Sequence, residues 1–136
     1  MIKVQTGQII EFYSNSCRVA ATSNTFKCRI QGRIDLVVGD YVRIAPAEGL
    51  SDCDAIVTER LDRDTALFKS KDKITKTVAA NISHLGILVT FNPKTSLEFI
   101  DKWIVIALHS KVRPFIVFNK IDALEKDAFK LIRNIY

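Results

Sequence analysis

The stretch PFIVFNKIDAL, Pro114 to Leu124, decides the reading of this chain. PFIVF is an apolar run of strand length, Asn119-Lys120-Ile121-Asp122 follows directly, and Ala123 onward is a helical pattern with Leu124, Ala128, Leu131 and Ile135 on one face. In an open α/β sheet, ligands gather at the carboxyl ends of the strands, which is where Asn119 to Asp122 fall. A carboxylate there accepts two parallel hydrogen bonds from the N1–H and exocyclic amine of guanine, an arrangement of donors that adenine lacks. On this reading Asp122 selects guanine over adenine. Asn119 holds the loop and meets the ring's acceptor edge, and Lys120 lays its stem over the base face with its ammonium in water. The competing reading is chance, about a few-per-cent event for Asn-Lys-x-Asp at average composition, and the position after a buried strand lowers it further.

Working toward the N-terminus, HLGILVTF from His84 is a second continuous apolar run, as expected of a strand buried on both faces of a parallel sheet. Thr95 and Glu98 have the T-x-x-E spacing of a capping box and predict a helix start. Leu97, Ile100, Ile104 and Leu108, with Trp103 beside them, form the apolar stripe of that helix, which ends near Lys111 before Pro114. Trp103 belongs to this stripe rather than to a base-stacking platform. The order strand, helix, parallel strand, helix is one right-handed crossover unit of an α/β sheet. Two parallel strands cannot cover themselves, so this half reads as incomplete.

From Thr6 to about Arg60 the period is two. TGQIIEFY, CRVAAT, FKCRIQG, YVRIA and AIVTERL are short strands separated by turn residues such as Ser14-Asn15-Ser16 and Gly39-Asp40. In FKCRIQG, Phe26, Cys28 and Ile30 point inward while Lys27, Arg29 and Gln31 point to water; Val42 and Ile44 likewise face in around Arg43. Five short antiparallel strands in this length fit a small closed barrel of OB or SH3-like type. Such barrels bind oligonucleotides on a strand face, where Arg18, Lys27, Arg29 and Arg33 with Tyr13 are the candidate contacts. Alternation equally forces polar residues outward in any barrel, so the pattern leaves both readings open. Thr65 to Asn81 loses the alternation, has no glycine or proline, and reads as a tether. Its lysines Lys69, Lys71, Lys73 and Lys76 either track phosphates or keep the tether in water.

At 136 residues and 48% hydrophobic, the chain holds enough apolar content for a real core. The net charge of +5 is uneven: residues 1–34 carry +4, residues 35–72 carry −4, and the remainder carries +5. An anionic partner such as nucleic acid and a merely solvated basic surface are equally compatible with that charge. No apolar run reaches signal-peptide or bilayer-spanning length, so the expectation is a cytoplasmic protein with no membrane partner. Cys17, Cys28 and Cys53 are an odd number without metal-ligand spacing; they read as buried or idle thiols. His84 and His109 have no nucleophile or carboxylate at a catalytic spacing, and no residue is assigned a catalytic or metal-binding role.

No G-x-x-x-x-G-K-[S/T] occurs among Gly7, Gly32, Gly39, Gly49 and Gly86, and there is no Asp-x-x-Gly. Phosphates and magnesium therefore have no nest of backbone amides to hold them. A base-reading loop without a preceding phosphate loop, behind a strand-rich barrel, is the order of a circularly permuted GTPase. CRV near the second strand, VVGDYV opening the fourth, KTVAANISHLGILVTF and PFIVFNKIDAL together resemble the ribosome-small-subunit-dependent GTPase family (RsgA, also called YjeQ) along essentially the whole chain.

The resemblance implies an N-terminal all-β OB-type five-stranded barrel over residues 1–68 that docks on the small (30S) ribosomal subunit. A basic linker over 69–80 follows, then the first part of a circularly permuted P-loop GTPase domain over 81–136, a partial α/β domain. It implies GTP or GDP with magnesium in the intact family, GTP hydrolysis late in small-subunit maturation, and a zinc domain not present in these residues. Family roles carry over to Asn119, Lys120 and Asp122 for guanine, and to the basic residues of the barrel and linker for ribosomal RNA. The ending inside FKLIRNIY, with no helix stop signal, predicts a truncated form that by itself holds guanine nucleotide weakly and does not hydrolyse GTP. The alternative is a stand-alone OB-type module for single-stranded RNA.

Overall fold

The computed structural model describes residues 3–71, 74–123 and 125–136. The chain divides into two compact units, Met1–Ile82 and Ser83–Tyr136.

In the first unit β1 (Gln5–Phe12), β2 (Ser16–Ala20), β3 (Thr25–Ile30), β4 (Tyr41–Pro46) and β5 (Ala55–Arg60) close into a barrel in the order β1-β2-β3-β5-β4. The expected all-antiparallel pairing is corrected at one seam, where Cys28–Ile30 of β3 run parallel to Ala55–Val57 of β5. A closed ring with an odd number of strands cannot alternate direction throughout, so one parallel neighbour is forced. Period-two alternation put Cys28, Val42 and Ile44 inside; the core as a whole is Ile9, Cys17, Val19, Cys28, Leu36, Val42, Ile44, Ala55 and Val57, with Phe26, Ile30 and Ile34 packed against it. Each fully buried Ile or Val contributes about 1.5–3 kcal/mol relative to exposure.

The segment expected as a basic linker over 69–80 is instead folded. β6 (Ala66–Lys71) and β7 (Ile74–Ala80) pair antiparallel as a hairpin belonging to the first unit. Thr75, Thr77, Val78 and Phe68 suit a pleated ribbon. A register shift between Leu67 and Phe68 breaks the alternation that would have announced a strand. Lys73 lies outside the described residues, and of Lys71 only the backbone is described.

A polar joint fastens this hairpin to the barrel. Arg63 donates from Nε to Asp40 Oδ1 (2.6 Å) and from Nη2 to Asp40 Oδ2 (2.8 Å), and Asp40 is completely buried. The same carboxylate accepts from Val37 N–H (2.8 Å). Asp40 holds the guanidinium charged, raising the pKa of Arg63 above its ordinary value. Asn81, at φ +53°, donates from its side chain to Gly39 O (2.9 Å) and accepts from Asp64 N–H (2.8 Å), while Ala80 N–H donates to Val38 O (3.0 Å). The Val-Gly-Asp and Ala-Ala-Asn stretches thus meet at one place.

In the second unit, β8 (His84–Val89) and β9 (Arg113–Phe118) are parallel neighbours, joined by α1 (Leu97–His109). A turn of 3-10 helix (Ile121–Ala123) and α2 (Lys126–Ile135) follow. Ile87, Val89, Phe91, Ile100 and Ile132 are the buried core, with Trp103, Ile104, Ile116, Phe118, Ala128 and Phe129 against them. Both helices contribute to the face that carries Ile87 and Val89. Contrary to the sequence expectation, β8 is not buried on both faces: Leu88 is 52% exposed and Phe115 of β9 is 50% exposed.

The cap of α1 is Ser96, not Thr95: its hydroxyl accepts from Phe99 N–H (3.2 Å). Thr95 is engaged elsewhere, accepting from Thr90 N–H (3.0 Å), which leaves the next hydroxyl to cap the helix. The buried stripe of α1 runs through Ile100 and Ala107, with Trp103 and Ile104 half-buried; Leu97 and Leu108, expected on it, are exposed. On α2 the inward face is Ala128, Phe129 and Ile132, and the predicted face is corrected because Leu131 and Ile135 are each 51% exposed. The helix begins at Lys126, so Ala123 precedes it, and Leu124 lies outside the described residues. Among the described residues no helix is long and apolar enough to cross a membrane.

Candidate functional site

The Asn-Lys-Ile-Asp loop leaves the carboxyl end of β9. Asn119 N–H donates to Val89 O (2.9 Å), extending the ladder with β8 by one step. Asn119 Oδ1 accepts from Lys120 N–H (2.9 Å), and Lys120 sits at φ +54°, a left-handed turn that reverses the chain. Ile121 and Asp122 then enter the 3-10 turn. All four residues are exposed.

Beneath the loop lies an aromatic stack. Phe118, the residue before Asn119, stacks on Phe91 (centroids 5.9 Å, 8° between planes) and meets Phe129 edge-on at 4.9 Å. Phe91 enters the Thr90–Thr95 turn, whose ends bond to one another through Thr95 N–H to Thr90 O (2.9 Å). The loop is therefore seated on a rigid floor, as a site that must hold its polar groups in place requires. Among the described residues no hydrogen bond or ion pair engages the Asp122 carboxylate, leaving both oxygens available to a planar pair of donors. The side chains of Asn119, Lys120 and Asp122 are exposed on this one loop. They do not supply a phosphate nest, and among the described residues no three His, Cys, Asp or Glu side chains converge on a metal position.

Four of the barrel's basic residues line two hollows. Arg18 and Lys27 are direct cross-strand partners on the outward face of β2 and β3, and with Tyr13 they line a hollow of about 330 Å³. Arg29 and Arg33 line another, of about 380 Å³, together with Phe12 and Asn15. Lys69 lies on the hairpin, in a groove of about 690 Å³ that shares Phe12 with the second hollow and adds Val38, Ile74, Lys76 and Val78. Sequence reading missed two things here. Phe12, 39% exposed, offers an apolar ring beside the arginines. Acids also temper the face, since Arg29 pairs with Asp52 (3.1 Å) and Arg18 lies 3.8 Å from Glu11. Tyr13 donates to Glu11 (3.0 Å), and that carboxylate raises the phenol's pKa. The alternation that put the arginines outside carries no information on which acids lie opposite them.

The pattern of one protein family, RsgA GTPase, matches residues 60–136. The small ribosomal subunit biogenesis GTPase RsgA of Nitrosomonas europaea is 32% identical over 124 residues, covering 90% of this chain and 38% of that protein. The protein of the same name from Pectobacterium atrosepticum is 35% identical over 133 residues, again 38% of its length. The crystal structure of YjeQ from Thermotoga maritima superposes with a TM-score of 0.69 at 27% identity, over 97% of this chain and 47% of that one. The crystal structure of YloQ, a circularly permuted GTPase, shares the fold with a TM-score of 0.64 at 21% identity, over 98% of this chain and 46% of its own. This chain thus spans 38% to 47% of the length of these relatives. The family pattern covers more than half of its residues, and the chain belongs to the RsgA GTPase family.

Proposed function

We propose that the chain is the ribosome-docking and guanine-reading portion of a small-subunit biogenesis GTPase, acting in the cytoplasm. The observation that carries this reading is the exposed Asp122 carboxylate, without an internal partner among the described residues, at the carboxyl end of β9. Asp122 reads the guanine edge, Asn119 shapes the loop through Lys120 N–H, and Lys120 covers the base. GTP or GDP would meet the loop through its base; the phosphates and magnesium need groups that these residues do not provide. By itself the chain binds guanine nucleotide weakly and does not turn it over.

Titration with GDP, ADP and XDP under nuclear magnetic resonance tests the loop. GDP should move the amide signals of Asn119 to Asp122, and ADP should leave them in place. Asp122→Asn should weaken GDP by about tenfold to a hundredfold, the loss of hydrogen bonds to a charged acceptor worth about 1.5–3 kcal/mol. It should gain XDP, whose base carries a carbonyl where guanine has the amine. Equal shifts with GDP and ADP would remove the guanine assignment.

For the barrel, Arg18, Lys27, Arg29 and Arg33, with Lys69, Lys71 and Lys73 of the hairpin segment, are the proposed ribosomal RNA contacts. Co-sedimentation with purified small subunits should fall as salt rises. The triple change Lys27→Gln, Arg29→Gln and Arg33→Gln should flatten the logarithmic salt dependence by about 2–3, close to one unit for each phosphate no longer neutralised. Binding that a generic single-stranded RNA competes away equally well would favour the stand-alone RNA module instead.

A further inference from the structure

Cys17 on β2 and Cys28 on β3 stand directly opposite each other in the antiparallel ladder, and both are buried in the barrel. Ala21 N–H donates to Asn24 O (2.9 Å) and Ile30 N–H to Asn15 O (3.3 Å). Counting by twos from either pair reaches Cys17 and Cys28, which therefore occupy a hydrogen-bonded step of the ladder. Such a step separates Cα atoms by about 5.5 Å, within the roughly 4.4–6.8 Å that a disulfide spans.

Cys28 Sγ donates to Phe26 O at 3.6 Å. The neighbouring Cys28 thiol lowers the pKa of Cys17, and the neighbouring Cys17 thiol, together with burial, raises that of Cys28. Cys17 also lines the polar hollow that holds Arg18 and Lys27, a short way in for a small oxidant.

We propose that Cys17 and Cys28 are a reversible oxidation site, converted by a hydroperoxide into a cross-strand disulfide. Cys17 sulfur attacks a peroxide oxygen, the O–O bond breaks, and with hydrogen peroxide one water leaves and a sulfenic acid remains. Cys28 sulfur then forms the S–S bond, displacing the sulfenic oxygen, which departs as a second water with the Cys28 proton. Two thiols lose two electrons in all, and one peroxide gains them. A hydrogen-bonded step sets Cβ atoms wider than an unstrained disulfide prefers, so small thiols should reduce the bond readily. The bond would pin the two strands that carry Arg18, Lys27 and Arg29 on their outer face.

The test uses the full chain carrying Cys53→Ser, which leaves the buried pair as its remaining thiols. After brief exposure to dilute hydrogen peroxide in native buffer, alkylation in denaturant and peptide mass analysis should show both thiols protected and a Cys17–Cys28 cross-linked peptide. Dithiothreitol should restore both thiols, and circular dichroism should show the fold retained throughout. Cys28→Ala in the same background should instead leave Cys17 as a sulfenic acid that dimedone traps. Two free thiols after peroxide treatment, or a cross-link that forms only when denaturant is present during oxidation, would overturn the proposal.

Discussion

Arg63→Ala is expected to destabilise the first unit by about 3–5 kcal/mol, because it strands a fully buried carboxylate without its counter-charge. Asp40 is 0% exposed, and Arg63 supplies two of its bonds, at 2.6 and 2.8 Å. Among the described residues, only Val37 N–H would remain on Asp40 Oδ2. Trp103 belongs to the second unit, so urea unfolding of the first is best followed by amide exchange at Val42, Ile44 and Val57. The double change Asp40→Leu with Arg63→Met should recover much of the loss, since a buried ion pair and an apolar pair of similar volume are often close in stability. If Arg63→Ala costs less than about 1 kcal/mol, water reaches Asp40 and the joint is not the dry ion pair described.

Gly39→Ala should be nearly as damaging, at about 2–5 kcal/mol, from an unfavourable backbone conformation and a steric clash acting together. Gly39 lies at φ +96°, and a Cβ there would stand 1.8 Å from Ala80 O and 2.9 Å from Ala80 C. Those are backbone atoms of the hairpin, which cannot swing aside as a side-chain tip would. The hydrogen bonds Gly39 makes on either side, from its N–H to Ile9 O (2.8 Å) and to its O from Asn81 (2.9 Å), would be displaced with it. Gly49 is the internal control: its φ is +78° but nothing lies within 4 Å of an added Cβ. Gly49→Ala should therefore cost only the conformational share, about 1 kcal/mol. Thermal unfolding of the two variants side by side separates conformation from clash; equal losses would mean that the hairpin yields at Ala80.

Both changes act at the same joint. In VVGDYV, Gly39 admits the hairpin backbone and Asp40 anchors it through Arg63; in KTVAAN, Ala80 is the close neighbour and Asn81 the reciprocal tie. Read along the chain they were turn punctuation and tether. In space they are one joint.

What the sequence determined by itself was whatever a local period encodes. Alternation over residues 6–60 put Cys28, Val42 and Ile44 inside and Arg29 and Arg43 outside, because neighbouring side chains of a strand must leave opposite faces. The same local logic put Asn119 to Asp122 directly after a strand. Only the tertiary structure decided the rest, since those features depend on which segments meet. A bulge at Leu67 and Phe68 erased the period that would have shown β6. Thr95 lost the helix cap to Ser96 because Thr90 N–H had already claimed its hydroxyl. Leu88 and Phe115 were apolar yet exposed, since both helices contribute to the opposite face of their sheet. Cys17 met Cys28, and Asp40 met Arg63, through register and long-range contact, which the order of residues along one strand does not contain.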